Sequence, residues 1–323
     1  MKDGFNRTID YVRISVTDKC NLRCRYCMPS DIEHVSMDRI LTFEEIARVT
    51  KCMAKLGITK VKLTGGEPLI RRGICDLIKM LKSISGIDQV TITTNGVLLE
   101  EYITNLCAAG IDGINVSIDT MDRDRYMSIT GSDRLEQVIK GVRSAVCAGL
   151  PVKINTVTLA GPEDAAGLIE FVRDVKADLR FIELMPIGFA KRYDATGHDR
   201  LLKWFCDTYP DAAKCDVRGN GPAKYYEIPG FSGKIGFISA LSDRFCDSCN
   251  RIRLTTRGFL KGCLCYDSGE DLMPTIRSDV SSEEKNDRLC ALISKVITQK
   301  PEGHDFAHVE RVSEKLPMSA IGG

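Results

Sequence analysis

The sequence predicts an α/β fold: a partial (βα)6 TIM-like barrel over residues 1–225, followed by a smaller cysteine-bearing module over 226–323. Three observations carry this reading. Short β-branched runs alternate with helical patterns through the first two-thirds of the 323 residues, which implies parallel strands joined by right-handed crossovers. Only six such units occur, too few for the eight-unit barrel. Past Met185 and Pro186 the rhythm changes, with turn-rich stretches at 219–222 and 228–233 and a fresh group of cysteines.

In chain order, strands are expected at 11–16, 60–63, 90–93, 114–118, 152–157 and 180–184. Helices are expected between them at 43–56, 74–84, 98–109, 135–148 and 165–175. The residues at the carboxyl ends of such strands line the mouth of a barrel. Here they include Thr93-Thr94-Asn95-Gly96, Ser117-Ile118-Asp119 and Met185-Pro186, each of which alone also reads as ordinary loop.

Composition is that of a globular domain, with 43% hydrophobic and 28% charged residues. Net charge is +1, so the protein has no general attraction to nucleic acid or to a membrane surface, and any anion must be held by a local cluster. No signal core opens the chain and no apolar run reaches transmembrane length, which points to the cytoplasm. Fourteen cysteines in that compartment argue for metal binding at the clustered ones rather than disulfides. The scattered cysteines, such as Cys107, Cys147 and Cys206, read as small core filler.

The first motif is Cys20-Asn-Leu-Arg-Cys24-Arg-Tyr-Cys27, just after the first strand. A [4Fe–4S] cube takes four ligands, so three close cysteines leave one iron open. An open iron can chelate an amino and a carboxylate group. A zinc site lacking its fourth ligand is the plain alternative. The second motif, Gly65-Gly66-Glu67-Pro68, follows the second strand, where glycines let backbone approach a ligand closely. By itself it is also a common turn. The third is Cys246-Asp-Ser-Cys249-Asn-Arg251-Ile-Arg253, followed by Cys263. It reads as a second cluster with an open iron, or as a zinc ribbon with Cys265 as fourth ligand. Arg251 and Arg253 alternate along one strand and share a face.

The first two motifs resemble those of the radical S-adenosylmethionine (SAM) superfamily. The whole arrangement is similar to the GTP 3′,8-cyclase family (molybdenum cofactor biosynthesis protein A). Arg13-Ile-Ser-Val-Thr-Asp-Lys-Cys20, Cys27-Met-Pro, Leu63-Thr-Gly-Gly-Glu-Pro-Leu, Asn115-Val-Ser-Ile-Asp, Arg180-Phe-Ile-Glu-Leu-Met185 and the terminal Met318-Ser-Ala-Ile-Gly322-Gly323 all match it. The resemblance implies conversion of GTP to 3′,8-cyclo-7,8-dihydro-GTP, with two [4Fe–4S] clusters and SAM as cofactors. Cluster ligands would be Cys20, Cys24 and Cys27, then Cys246, Cys249 and Cys263 in a C-terminal iron–sulfur module. Tyr26, Gly65, Gly66, Glu67, Ser117 and Met185 would serve SAM. Arg13, Lys60, Lys62, Thr93, Lys153, Arg180, Arg251 and Arg253 would hold substrate. Arg13, Arg251, Arg253, Gly322 and Gly323 would support catalysis, the two glycines as a tail entering the site. Expected partners are a flavodoxin or ferredoxin as electron donor and a downstream cyclic pyranopterin monophosphate synthase. A homodimer is one compatible arrangement.

Two departures stand out, Lys62 and the additional Cys265, which competes with Cys263 as third ligand. Lys62 occupies a position where the family often has Arg, and so loses the bidentate fork. No Walker-type loop is present, so GTP would not be bound as in P-loop proteins. Another two-cluster radical SAM enzyme, such as a peptide maturase, is the alternative; those enzymes usually carry more auxiliary cysteines and lack the Gly-Gly tail. A non-catalytic iron–sulfur or zinc protein would leave the Gly-Gly-Glu-Pro motif unexplained.

Overall fold

Strand residues with alternating polarity dictate the architecture. A computed structural model describes residues 1–28, 35–159, 162–193, 197–215 and 220–322. Pro29, Gly219 and Gly323 lie outside the described residues. The six expected strands form as β1 (Tyr11–Ser15), β2 (Lys60–Thr64), β3 (Gln89–Thr94), β4 (Ile114–Ser117), β5 (Val152–Val157) and β6 (Asp178–Ile182). The later chain adds β7 (Ala213–Cys215), β8 (Lys224–Glu227), β9 (Ile235–Ile238), β10 (Arg251–Leu254), β11 (Phe259–Lys261) and β12 (Gly269–Asp271). The helices are α1 (Phe43–Lys55), α2 (Ile74–Lys82), α3 (Leu99–Ala108), α4 (Arg123–Thr130), α5 (Leu135–Cys147), α6 (Pro162–Val175), α7 (Gly197–Thr208), α8 (Met273–Ile276), α9 (Ser282–Thr298) and α10 (Met318–Ile321).

All the strands join one sheet in the order β12-β11-β10-β1-β2-β3-β4-β5-β6-β9-β8-β7. The six-strand core is parallel throughout, and the later chain extends it on both edges: β10 pairs parallel to β1, and β9 pairs parallel to β6. The sheet thus runs through the expected division at 225/226, where Lys224–Glu227 is itself one strand.

Because neighbouring residues point to opposite faces, register sorts the side chains. One face carries Val12, Ile14, Val61, Leu63, Val90, Ile92 and their counterparts, which pack under the helices in a single buried core. The other face carries the register-linked row Arg253, Arg13, Lys62 and Thr91, and a second row of Thr93, Asn115, Lys153 and Asp178. A closed eight-strand barrel fills its interior with branched apolar side chains. Here the interior is polar and basic, and is built to take a ligand.

Two helix features secure the scaffold. Thr42 and Glu45 form a capping box at α1, which satisfies two otherwise orphaned donors. Helix α9 packs on α1, where Arg48 and Cys52 meet Asn286, and Leu289 and Ile293 of α9 are fully buried. The core-filler reading of the scattered cysteines holds for Cys52 and fails for Cys107, Cys147 and Cys206. Those three are exposed, because they lie on the solvent sides of α3, α5 and α7.

Candidate active site

One cavity of about 300 Å³ opens at the carboxyl ends of the strands, and each of the eight parallel strands contributes a lining residue. The sheet therefore curls around it. Both cysteine triplets line this chamber: Cys20, Cys24 and Cys27 on one side, Cys246, Cys249 and Cys263 on the other.

The first triplet is set by backbone. Gly66 N donates to Thr17 O at 2.7 Å and Glu67 N to Lys19 O at 2.8 Å, so the β2 end grips the loop that leads into Cys20. A Cβ on Gly65 or Gly66 would collide with the carbonyls of Thr17 and Lys19, and Gly65 has φ +146°. These glycines thus admit the cluster loop itself as a close neighbour. Glu67 is fully buried. Its carboxyl accepts from Leu69 N at 2.9 Å, Asn95 N at 2.6 Å and Thr94 Oγ1 at 2.7 Å, which ties β2 to β3. Burial outweighs those donors and pushes the carboxyl up to about 7. Tyr26 lines the chamber and donates from its hydroxyl to Asp119 Oδ2 at 2.8 Å. The other oxygen of Asp119 accepts from Val157 N at 2.9 Å. Burial pushes that carboxyl up to about 6.

Donors are directed at the sulfurs. Leu22 N lies 3.4 Å and Asn95 Nδ2 3.7 Å from Cys20 Sγ. The Ser319 backbone N–H of α10 bonds Cys27, although burial dominates and pushes that thiol up to about 12. At the second triplet His304 N lies 3.4 Å from Cys246 Sγ, and Arg251 Nη2 lies 3.9 Å from Cys249 Sγ. Burial raises the Cys249 thiol, but Arg251 and then Lys300 reverse this and bring it to about 6. Three thiols per side, each triplet facing the chamber and met by N–H donors, fit a cube that would be held at three irons and keep its fourth for another ligand. Among the described residues no three His, Cys, Asp or Glu side chains converge on a single ion. A cube spreads its thiolates over separate irons and needs no such convergence. Cys265 is fully buried with Leu264, Phe306 and Ile321 and does not line the chamber, whereas Cys263 does.

Arg13, Thr93, Ser117, Met185, Arg251 and Arg253 all line the chamber. Lys62 is buried in the row beside Arg13. Burial, then Arg180, Arg13, Lys153 and Arg251, hold its ammonium well below the usual lysine range. Burial, then Arg13 and Arg251, likewise lower Arg253. Arg180 donates to Asn115 Oδ1 at 2.7 Å, and its buried Nε has no hydrogen-bond partner. Lys153 lies 3.3 Å from Asp178 and over the Tyr225 ring. Lys60 does not reach the chamber: as the first residue of β2 it sits at the far end of the strand and pairs with Asp10 at 2.7 Å.

The tail does reach it. Met318 lines the chamber, and Arg253 Nη1 donates to Gly322 O. Gly322 has φ +81°, and a Cβ there would come 2.6 Å from Thr64 Oγ1. Sequence reasoning missed Arg7 and Lys300 on the chamber wall. Neither belongs to a motif, so no local signal marks them. Asn95 and Asp119 were visible only as strand-end residues.

Fold and site define the molecule's class, the Radical SAM superfamily, whose family model matches residues 14–174. The Molybdenum Cofactor Synthesis C model matches 177–306. The GTP 3′,8-cyclase of Clostridium perfringens strain 13 is 44% identical, with all of both chains covered. That of Alkaliphilus oremlandii is 40% identical at the same coverage. The chain belongs to the GTP 3′,8-cyclase family. Among solved structures, Streptococcus suis SuiB bound to S-adenosylmethionine superposes with a TM-score of 0.66 at 18% identity, covering 89% of this chain and 68% of that one. At that identity the likeness concerns the fold alone. Among the described residues no helix is long and apolar enough to cross a membrane.

Proposed function

We propose that the chamber takes GTP and converts it to 3′,8-cyclo-7,8-dihydro-GTP, the first step of molybdenum cofactor biosynthesis. One observation supports this most: Arg13, Lys62, Arg180, Arg251 and Arg253 share one interior, where burial and then the neighbouring cations disfavour the charged forms of Arg13, Lys62 and Arg253. Like charges in a dry interior demand an anionic ligand. A triphosphate supplies several charges, and guanidinium groups match its oxygens bidentately. The cationic wall runs between the two triplets, so a bound nucleotide would span them.

Cys20, Cys24 and Cys27 would hold a cluster that would supply the electron for reductive cleavage of SAM to a 5′-deoxyadenosyl radical. The chain's own residues position the reactants. Gly65, Gly66, Glu67, Ser117, Met185 and Tyr26 form the SAM side, and Asp119 and Thr94 hold Tyr26 and Glu67 in place. Arg251 and Arg253 with Cys246, Cys249 and Cys263 form the substrate side. Arg13 faces the space between them. Gly322 is held at the chamber by Arg253. A flavodoxin or ferredoxin supplies electrons, a cyclic pyranopterin monophosphate synthase takes the product, and the protein works in the cytoplasm.

The test is turnover under reducing, oxygen-free conditions with SAM and GTP. The reading requires 5′-deoxyadenosine to form together with GTP loss. Deoxyadenosine without GTP consumption refutes the substrate, and no deoxyadenosine refutes the chemistry.

A further inference from the structure

The second triplet is braced from outside its own loop. Arg7 belongs to the N-terminal hairpin closed by the Lys2–Thr8 bridge, and it is buried on the chamber wall. Its Nε donates to Asp3 Oδ2 at 2.6 Å. Its terminal nitrogens donate to three carbonyls: Cys246 at 2.9 Å, Glu302 at 2.5 Å and Pro301 at 2.6 Å. Lys300, 3% exposed, donates from Nζ to Gly262 O at 2.5 Å, directly before Cys263. Arg251 faces Cys249 Sγ and stacks on Phe245.

Each cysteine of this triplet therefore has one cation at its sulfur or at adjoining backbone. The first triplet differs. The charged groups that act on Cys20 and Cys24 are the carboxyls of Glu67 and Asp119, with exposed Arg23 on the outer side. Neither Lys300 nor Arg251 is ion-paired to a carboxylate among the described residues. A buried cation without a carboxylate calls for another anion nearby. Three thiolates on an iron–sulfur cube are such an anion, and its charge becomes more negative on reduction.

We propose that Arg7 and Lys300 are positioning residues for the second cluster: they fix the Cys246 and Cys263 arms, and the charge of Lys300, unlike that of Arg7 beside Asp3, is free to raise that cluster's reduction potential. Nearby positive charge favours the reduced form, and partners around the ligands tune affinity as well as potential. Three carbonyls from two distant segments suit the five donors of a guanidinium, and a lysine cannot reach them all. The inference rests on the reading of Cys246, Cys249 and Cys263 as cluster ligands.

The test compares the full-length reconstituted protein with Arg7→Lys and Lys300→Met. Readouts are iron and sulfide per chain and midpoint potentials from an EPR-monitored redox titration. A Cys20→Ala/Cys24→Ala/Cys27→Ala chain identifies the second cluster's signal. Wild type should hold about eight irons. Arg7→Lys keeps the charge and loses the fork, so iron should fall toward about four while the first cluster stays intact. Lys300→Met should shift the second midpoint to lower potential and leave the first unchanged. Full iron with an unmoved second midpoint in both variants overturns the proposal. Equal loss of both clusters also overturns it, because it shows a general folding role. About four irons in wild type instead sinks the second-cluster reading itself.

Discussion

Glu67 shows how a motif residue can serve position rather than contact. Its carboxyl is wholly enclosed and receives three donors from the β2 and β3 ends. Its folded value of about 7 lies above the ordinary 4.5, so the folded state binds the proton more tightly. The stability this contributes is full below the ordinary value and is lost as pH rises through about 7. Asp119, raised to about 6, adds a change of the same sign. The cofactor-free protein should therefore melt at lower temperature as pH rises from about 5 to about 8, with Glu67 contributing on the order of 3 kcal/mol. In Glu67→Gln this slope should flatten, and an unchanged slope would show that Glu67 is ionised throughout. Arg251 carries a different prediction. Because it lies between the second triplet and the basic wall, Arg251→Ala should lower GTP turnover by about 100-fold while SAM cleavage continues. Equal loss of both activities, measured as deoxyadenosine against GTP consumed, would argue against a substrate role.

At the scale of elements, the tail depends on a buried ion pair. Lys261 of β11 and Glu314 are 1% and 3% exposed, and Glu314 also accepts from Leu316 N at 2.7 Å. Burial pulls the Lys261 ammonium down to about 8. Lys261→Met leaves a lone buried carboxylate and should cost about 3–5 kcal/mol, whereas Lys261→Met with Glu314→Leu should recover much of it. Thermal melts of the single and double variants decide this. Removal of residues 322–323 should abolish cyclisation without lowering the melting temperature, because the pair lies upstream of the cut. Product formed at the normal rate would remove the tail from the mechanism.

How much the sequence discloses also differs by element. The six core strands were legible because apolar and polar residues alternate along them, as in Arg13 beside Val12 and Ile14. Strand β9 was not, since Ile235–Ile238 is buried at every position and has no alternation to read. That both β9 and β10 join the core in parallel depends on tertiary pairing that no local pattern encodes. Spacing marked the two cysteine groups, and the structure places Cys20, Cys24, Cys27, Cys246, Cys249 and Cys263 on the chamber wall while Cys265 is buried away from it. Lys60 was misjudged because charge type does not reveal how far along a strand a side chain lies from the mouth. Arg7 and Lys300 were invisible because their partners are 295 and 38 residues away.

At the scale of the whole molecule, a chain of net charge +1 gathers a local cluster of cations inside one curled sheet. The outward strand faces supply the apolar core, which leaves the inward faces free for Arg13, Lys62, Arg180, Arg251 and Arg253. Both cysteine triplets open on that interior, so one small volume brings the two triplets and the basic row together. The most direct test of this arrangement is hydrogen transfer within the chamber. GTP deuterated at C3′ is turned over with SAM, and the 5′-deoxyadenosine is analysed by mass spectrometry. The account predicts one deuterium in deoxyadenosine formed with cyclised product. Unlabelled deoxyadenosine would contradict it, because the radical would then have drawn its hydrogen from something other than the substrate held between the two triplets.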